Sequence, residues 1–122
     1  MARILVADDD PLVISSLVRF LRRLDHEVRE VVNGREALEA IEESSFDLVI
    51  TDINMPEVDG IEVISRLRES RPGLPVIAMS GGGLVDKRVL LSDADAFGAV
   101  STIEKPFDLA EMRSAIDDAL GR

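Results

Sequence analysis

The 122-residue sequence contains no cysteine, which removes disulfides, thiolate metal sites and cysteine nucleophiles from consideration. It has no Tyr and no Trp, and four Phe bring aromatics to only 3%. The core must therefore be aliphatic, and stacking platforms for single-stranded nucleic acid are missing. A lone histidine, His26, excludes His-rich metal clusters and argues against a Ser-His-Asp triad. No apolar run approaches the length of a membrane span. The first apolar run stops at Ala7, too short for a secretory signal, so a cytoplasmic protein is expected. Basic residues are scarce: 14 Lys and Arg face 24 Asp and Glu, a formal charge of −10. Phosphate backbones and anionic lipid repel such a chain, so direct nucleic-acid or membrane contact is not expected.

What is present suits one globular domain over 1–122, with 46% hydrophobic residues to build its core. Strand-length apolar runs recur at 4–7, 27–32, 48–51, 75–79 and 99–102. The first, third and fourth are continuous rather than alternating, the pattern of strands covered on both faces of a parallel sheet. Helical periods fall between and after them, at 12–24, 34–43, 60–69, 84–97 and 109–120. Val13, Leu17, Phe20, Leu21 and Leu24 form the expected inner face of the first. Ala37, Leu38 and Ile41 serve the second, and Ile61, Ile64 and Leu67 the third. Asp10 with Pro11, Asn33, and Asp108 three residues before Glu111 are the start signals. Strands alternating with helices, five of each, imply an α/β fold with right-handed crossovers.

Polar residues collect where the strands end. Asp8-Asp9-Asp10 follows the first strand, Asp52 the third, Ser80 the fourth, and Lys105-Pro106 comes shortly after the fifth. Ligands of open α/β sheets bind at this edge. Clustered carboxylates repel one another unless a cation intervenes. Oxygen donors without Cys or His suit a hard divalent ion, and Mg²⁺ is the usual one where phosphate is handled. A carboxylate free to attack yields an aspartyl phosphate, with the metal, a lysine and a hydroxyl stabilising the moving phosphoryl group.

These residues carry a family resemblance. Asp8-Asp9 after Ile-Leu-Val-Ala, Asp52-Ile-Asn-Met-Pro-Glu-Val-Asp-Gly60, Ser80-Gly81 and Lys105-Pro106-Phe107 resemble a response-regulator receiver domain along the whole chain. The resemblance implies a doubly wound, five-stranded parallel sheet of order 2-1-3-4-5 flanked by five helices, the flavodoxin-like arrangement. It implies Asp52 as phosphoacceptor from a sensor histidine kinase or histidine phosphotransfer protein. Asp8, Asp9, Asp52 and the backbone carbonyl of Asn54 would hold Mg²⁺. Lys105 would pair with Asp52 at rest and then with the phosphoryl group, and Ser80 would turn toward a phosphoryl oxygen. Met55, Pro56 and Gly60 would shape the loop before the third helix, and Pro106 would follow a cis bond. At this length the resemblance implies a stand-alone receiver. It would act on a downstream protein, relay phosphate or buffer it. The apolar richness of 84–97 separately offers an interface through which a homodimer could form.

Two departures accompany it. Thr102 stands where the family usually has an aromatic switch residue. The stretch from Ser80 to Lys105 is long and carries Gly81-Gly82-Gly83, which eases backbone rearrangement. Switching is therefore expected to rest on that loop and the 84–97 helix.

Plainer roles suffice for other residues. Asp10 reads as a helix cap, Asp59 as a turn residue, His26 as part of the turn before the second strand, and Met55 and Met79 as packing. Arg19, Arg22 and Arg23 read as a solvated helix face or, by the family resemblance, as part of the helix that contacts the kinase, and Leu84, Val85, Val89, Leu90 and Leu91 chiefly as core. Competing functions fit less well. An Asp-x-Asp phosphatase would want Thr or Val where Leu12 stands. A flavin carrier would not line its phosphate site with carboxylates. A degenerate receiver kept as a scaffold would not retain Asp9, Asp52, Ser80 and Lys105.

Overall fold

Three strand segments are aliphatic runs buried on both faces. Ile4, Leu5, Val6, Ala7, Leu48, Val49 and Ile50 are all inaccessible to solvent, as are Ile77, Ala78 and Met79. In a computed structural model, which describes residues 2–53, 60–80, 101–105 and 107–121, these runs form a parallel sheet. The elements are β1 (Arg3–Ala7), α1 (Pro11–Arg23), β2 (Glu27–Val31), α2 (Gly34–Glu43), β3 (Leu48–Asp52), α3 (Gly60–Ser70), β4 (Val76–Ser80), β5 (Ser101–Glu104) and α4 (Leu109–Ala119). The sheet order is β2-β1-β3-β4-β5, the doubly wound order expected. No helix among the described residues is long and apolar enough to cross a membrane.

The sheet separates two aliphatic cores. On one face Ile4, Val6, Leu48, Ile50, Ile77, Met79 and Ile103 pack with α1 and α4. On the other, Leu5, Ala7, Val49, Val76 and Ala78 pack with α2 and α3. This is period-two alternation with both faces covered, so apolar residues occupy consecutive positions in β1, β3 and β4.

Helix starts obey the sequence signals. The Asp10 side chain accepts a hydrogen bond from the Leu12 amide at 2.9 Å, Asn33 accepts from the Glu36 amide at 2.8 Å, and Asp108 accepts from the Glu111 amide at 2.7 Å. Glu36 reaches back to accept from the amide of Val32, the residue before the cap, and from the Asn33 side-chain amide. His26 lies in the turn before β2, where its Nδ1 accepts the Ala2 amide at 3.0 Å.

Two expectations need correction. The buried face of α1 is Ile14, Leu17, Val18 and Leu21, while Val13 and Leu24 are only half-buried. Seven apolar residues among the thirteen of this helix supply two possible stripes, and the packing against the sheet selects one. β5 extends to Glu104, beyond the expected end at 102, because the register with β4 pairs Ile77 with Ser101 and Ser80 with Glu104; residues 99 and 100 lie outside the described residues. The 84–97 helix, with Leu84, Val85, Val89, Leu90 and Leu91, lies outside the described residues. So do Gly81-Gly82-Gly83, Asn54, Met55, Pro56, Asp59, Pro106 and the Ile61 side chain.

Replacing the α2 cap, Asn33→Ala, should lower unfolding free energy by about 1 kcal/mol, read as a shifted urea midpoint with unchanged slope.

Candidate functional site

Strand parity brings the site together. Ile4 and Val6 face the α1/α4 core, and the next residue of that parity is Asp8. Leu48 and Ile50 lead in the same way to Asp52, and Ile103 leads to Lys105. All three polar residues therefore leave the carboxyl edge of the sheet on one side. The Lys105 ammonium donates to Asp8 Oδ2 at 2.6 Å and to Asp52 Oδ2 at 3.2 Å. One carboxylate oxygen from each of Asp8, Asp9 and Asp52 lies within 4.8 Å of the others. Asp8 is fully buried, Asp52 is 6% exposed, and Asp9 faces solvent.

Each member is braced locally. The amide of Asp10 donates to Asp8 Oδ1 at 2.9 Å, and the amide of Asp8 donates to the Val31 carbonyl at 3.2 Å. The buried Thr51 hydroxyl donates to the Asp52 carbonyl at 3.0 Å. Gly60 closes the loop behind Asp52, its amide donating to the Ile53 carbonyl at 2.8 Å. A Cβ on Gly60 would fall 2.0 Å from the Asp52 carbonyl oxygen and 2.7 Å from Ile53 Cα, both backbone atoms.

Lys105 is electrostatically committed. Burial by itself would lower its pKa, but hydrogen bonds and charge from Asp8 and Asp52 outweigh that effect and raise it above the ordinary lysine value. Its side chain is 14% exposed, unlike the surface lysine its residue type alone suggests.

The remaining expected residues fall as follows. Ser80 is the last residue of β4, and its side chain and Asn54 lie outside the described residues. Thr102 is half-buried in β5 opposite Ala78, on the parity of the α2/α3 face and so on the other side of the sheet from Lys105. The resemblance pairs Lys105 with Asp52 alone. Its shorter bond to Asp8 was legible only as parity, because Asp8 continues the buried face of β1. The bracing by Thr51 leaves no sequence signal beyond a polar residue inside an apolar run.

A family model described as "Response regulator receiver domain" matches residues 4–117. The chain belongs to the response regulator receiver family. This receiver is 41% identical over 120 residues to the transcriptional regulatory protein PrrA of Mycobacterium bovis, covering 98% of this chain and 50% of PrrA. It is 37% identical over 120 residues to the response regulator receiver protein CpdR of Brucella abortus, covering 98% of each. The response regulator TrrA of Thermotoga maritima, solved in complex with Mg(2+)-BeF, superposes with a TM-score of 0.87 at 30% identity, covering 98% of this chain and 100% of that one. The receiver thus spans about half the length of PrrA-type relatives and nearly all of CpdR. It is a two-component response regulator domain.

Two outcomes are expected from this geometry. Gly60→Ala should cost about 3 kcal/mol in urea unfolding, since only backbone movement at Asp52 relieves the overlap. The second concerns alkaline pH. A raised folded pKa contributes stability that is present below the unfolded value and lost as pH rises through the folded one. With no Tyr or Cys and only Lys87 and Lys105, few other groups titrate there. Stability should therefore fall above about pH 10.4, the ordinary lysine value, and Lys105→Met should remove most of that fall. Urea midpoints collected across the alkaline range measure it.

Proposed function

We propose that Asp52 is the phosphoacceptor of this receiver. Its carboxylate attacks the phosphorus of a phosphohistidine on a sensor histidine kinase or histidine phosphotransfer protein. An O–P bond forms as the P–N bond breaks, and the histidine nitrogen leaves. The observation that carries this reading is the Asp8, Asp9 and Asp52 cluster with the Lys105 ammonium bonded into it.

Mg²⁺ is the cation assigned to this cluster. The donors are carboxylate oxygens without nitrogen or sulfur, and they lie within 4.8 Å of one another. Asp8, Asp9 and Asp52 would hold it, with the Asn54 carbonyl. When bound it supplies positive charge against the phosphoryl oxygens.

Lys105 holds the Asp52 carboxylate in place before reaction and neutralises a phosphoryl oxygen after it. The Ser80 hydroxyl donates to another oxygen, and because Thr102 occupies the position of the usual aromatic, the response rests on residues 81–97 instead. Residues 1–122 act as one receiver that assists its own phosphorylation and dephosphorylation and otherwise signals rather than catalyses. Its outputs are a downstream protein or phosphate relay, in the cytoplasm. Relatives named as transcriptional regulators extend well beyond this chain, so any DNA contact belongs to segments outside it.

Incubation with acetyl phosphate and Mg²⁺ should add one phosphoryl group, seen by intact mass. Asp52→Asn or chelation of the metal should abolish the gain, and Asp9→Asn should raise the Mg²⁺ needed about tenfold or more. Modification that survives Asp52→Asn would overturn the assignment.

A further inference from the structure

Thr51 lies in β3 with no solvent exposure, directly after the buried Leu48, Val49 and Ile50. Its strand neighbours are Ala7 on β1 and Ala78 on β4, both also inaccessible to solvent. Valine, of nearly the same shape, would suit these surroundings better. A buried hydroxyl carries a desolvation cost that one hydrogen bond does little more than offset. Strand preference does not separate the two residues, since valine and threonine share it. The reason for a hydroxyl at this position therefore lies in the group it bonds.

That group is the Asp52 carbonyl, at 3.0 Å. The carbonyl belongs to the same peptide unit as the Ile53 amide, which donates to the Met79 carbonyl at 2.9 Å. The planar unit after Asp52 is thus held at both polar ends, by Thr51 at one and by β4 at the other. The Gly60 backbone closes on the same oxygen, where a Cβ would fall 2.0 Å away. Thr51 shares the parity of Val49, on the α2/α3 face, whereas Asp52 shares that of Leu48 and Ile50, on the α1/α4 face. The hydroxyl therefore meets the site from behind, through the backbone and not through the carboxylates.

We infer that Thr51 is a positioning residue for phosphoryl transfer, its hydroxyl holding the backbone from which the Asp52 carboxylate attacks. The inference rests on Asp52 being the phosphoacceptor. Attack on phosphorus requires the incoming and leaving atoms in line, and a displacement of about 1 Å can cost about a hundredfold in rate. Without the Thr51 bond the peptide is free to rock at its carbonyl end, and the Asp52 Cβ rocks with it. Burial of a hydroxyl among aliphatic neighbours breaks a local rule of the core at the point where the site needs order.

The test compares Thr51→Val, which keeps the shape and loses the hydroxyl, with Thr51→Ser, which keeps the hydroxyl and loses a methyl. Each full-length chain is incubated with acetyl phosphate and Mg²⁺ and followed by intact mass. Thr51→Val should react about tenfold more slowly at saturating acetyl phosphate, with the half-saturating concentration unchanged. Its urea midpoint should stay at or above that of the unaltered chain. Thr51→Ser should keep the unaltered rate although its urea midpoint falls. The Asp52 carbonyl ¹³C shift, which reads the bond without any phosphorylation, should move in Thr51→Val and stay in Thr51→Ser. A purely structural role makes rate follow stability. Unaltered rate in Thr51→Val, or Thr51→Ser slowed as much as Thr51→Val, would therefore overturn the proposal. Should Thr51→Val fail to fold, Thr51→Ala takes its place, and a rate equal to that of Thr51→Ser would overturn it equally. An unaltered chain that gains no phosphoryl group, or gains one that survives Asp52→Asn, would instead strike the phosphoacceptor reading and this inference with it.

Discussion

Asp8 and Asp52 are carboxylates buried at the ends of two strands, and one ammonium, that of Lys105, holds both. Burying one such charge without a partner would cost several kcal/mol, and burying two side by side would cost more. The sheet edge therefore folds around a cation delivered from β5, nearly one hundred residues away in sequence. Neighbouring features follow from this constraint. Thr51 and Gly60 fix the Asp52 backbone, the Asp10 amide orients Asp8, and Asp9 stays in solvent at the same edge.

The arrangement reconciles two properties that seem opposed in the composition. A chain of formal charge −10 repels polyanions, yet the proposed chemistry brings in a phosphoryl group. The repulsion is spread over the surface, whereas the site concentrates three carboxylates that invite a hard cation.

Much of this was legible from residues. The buried strands announced themselves as continuous Ile, Leu and Val runs, and the caps Asp10, Asn33 and Asp108 bond as their residue types predict. The acids and the lysine were recognisable by their place after apolar runs. Less legible was the inner face of α1, where Val13, Ile14, Leu17, Val18, Phe20 and Leu21 offer two stripes and only packing against the sheet chooses. The extent of β5 was also hidden, because its end is set by hydrogen bonding to β4 and not by its own four residues.

By itself the sequence determined the alternation of strands and helices, the identity of the strand-end acids and the absence of any thiol chemistry. These depend on local periodicity and residue type, which neighbours in the chain carry. The tertiary structure alone decided that Lys105 binds Asp8 more closely than Asp52 and that Gly60 leaves no room for a Cβ behind Asp52. Those facts are distances between segments far apart in the chain. They exist only once strand register and sheet order have brought the segments together.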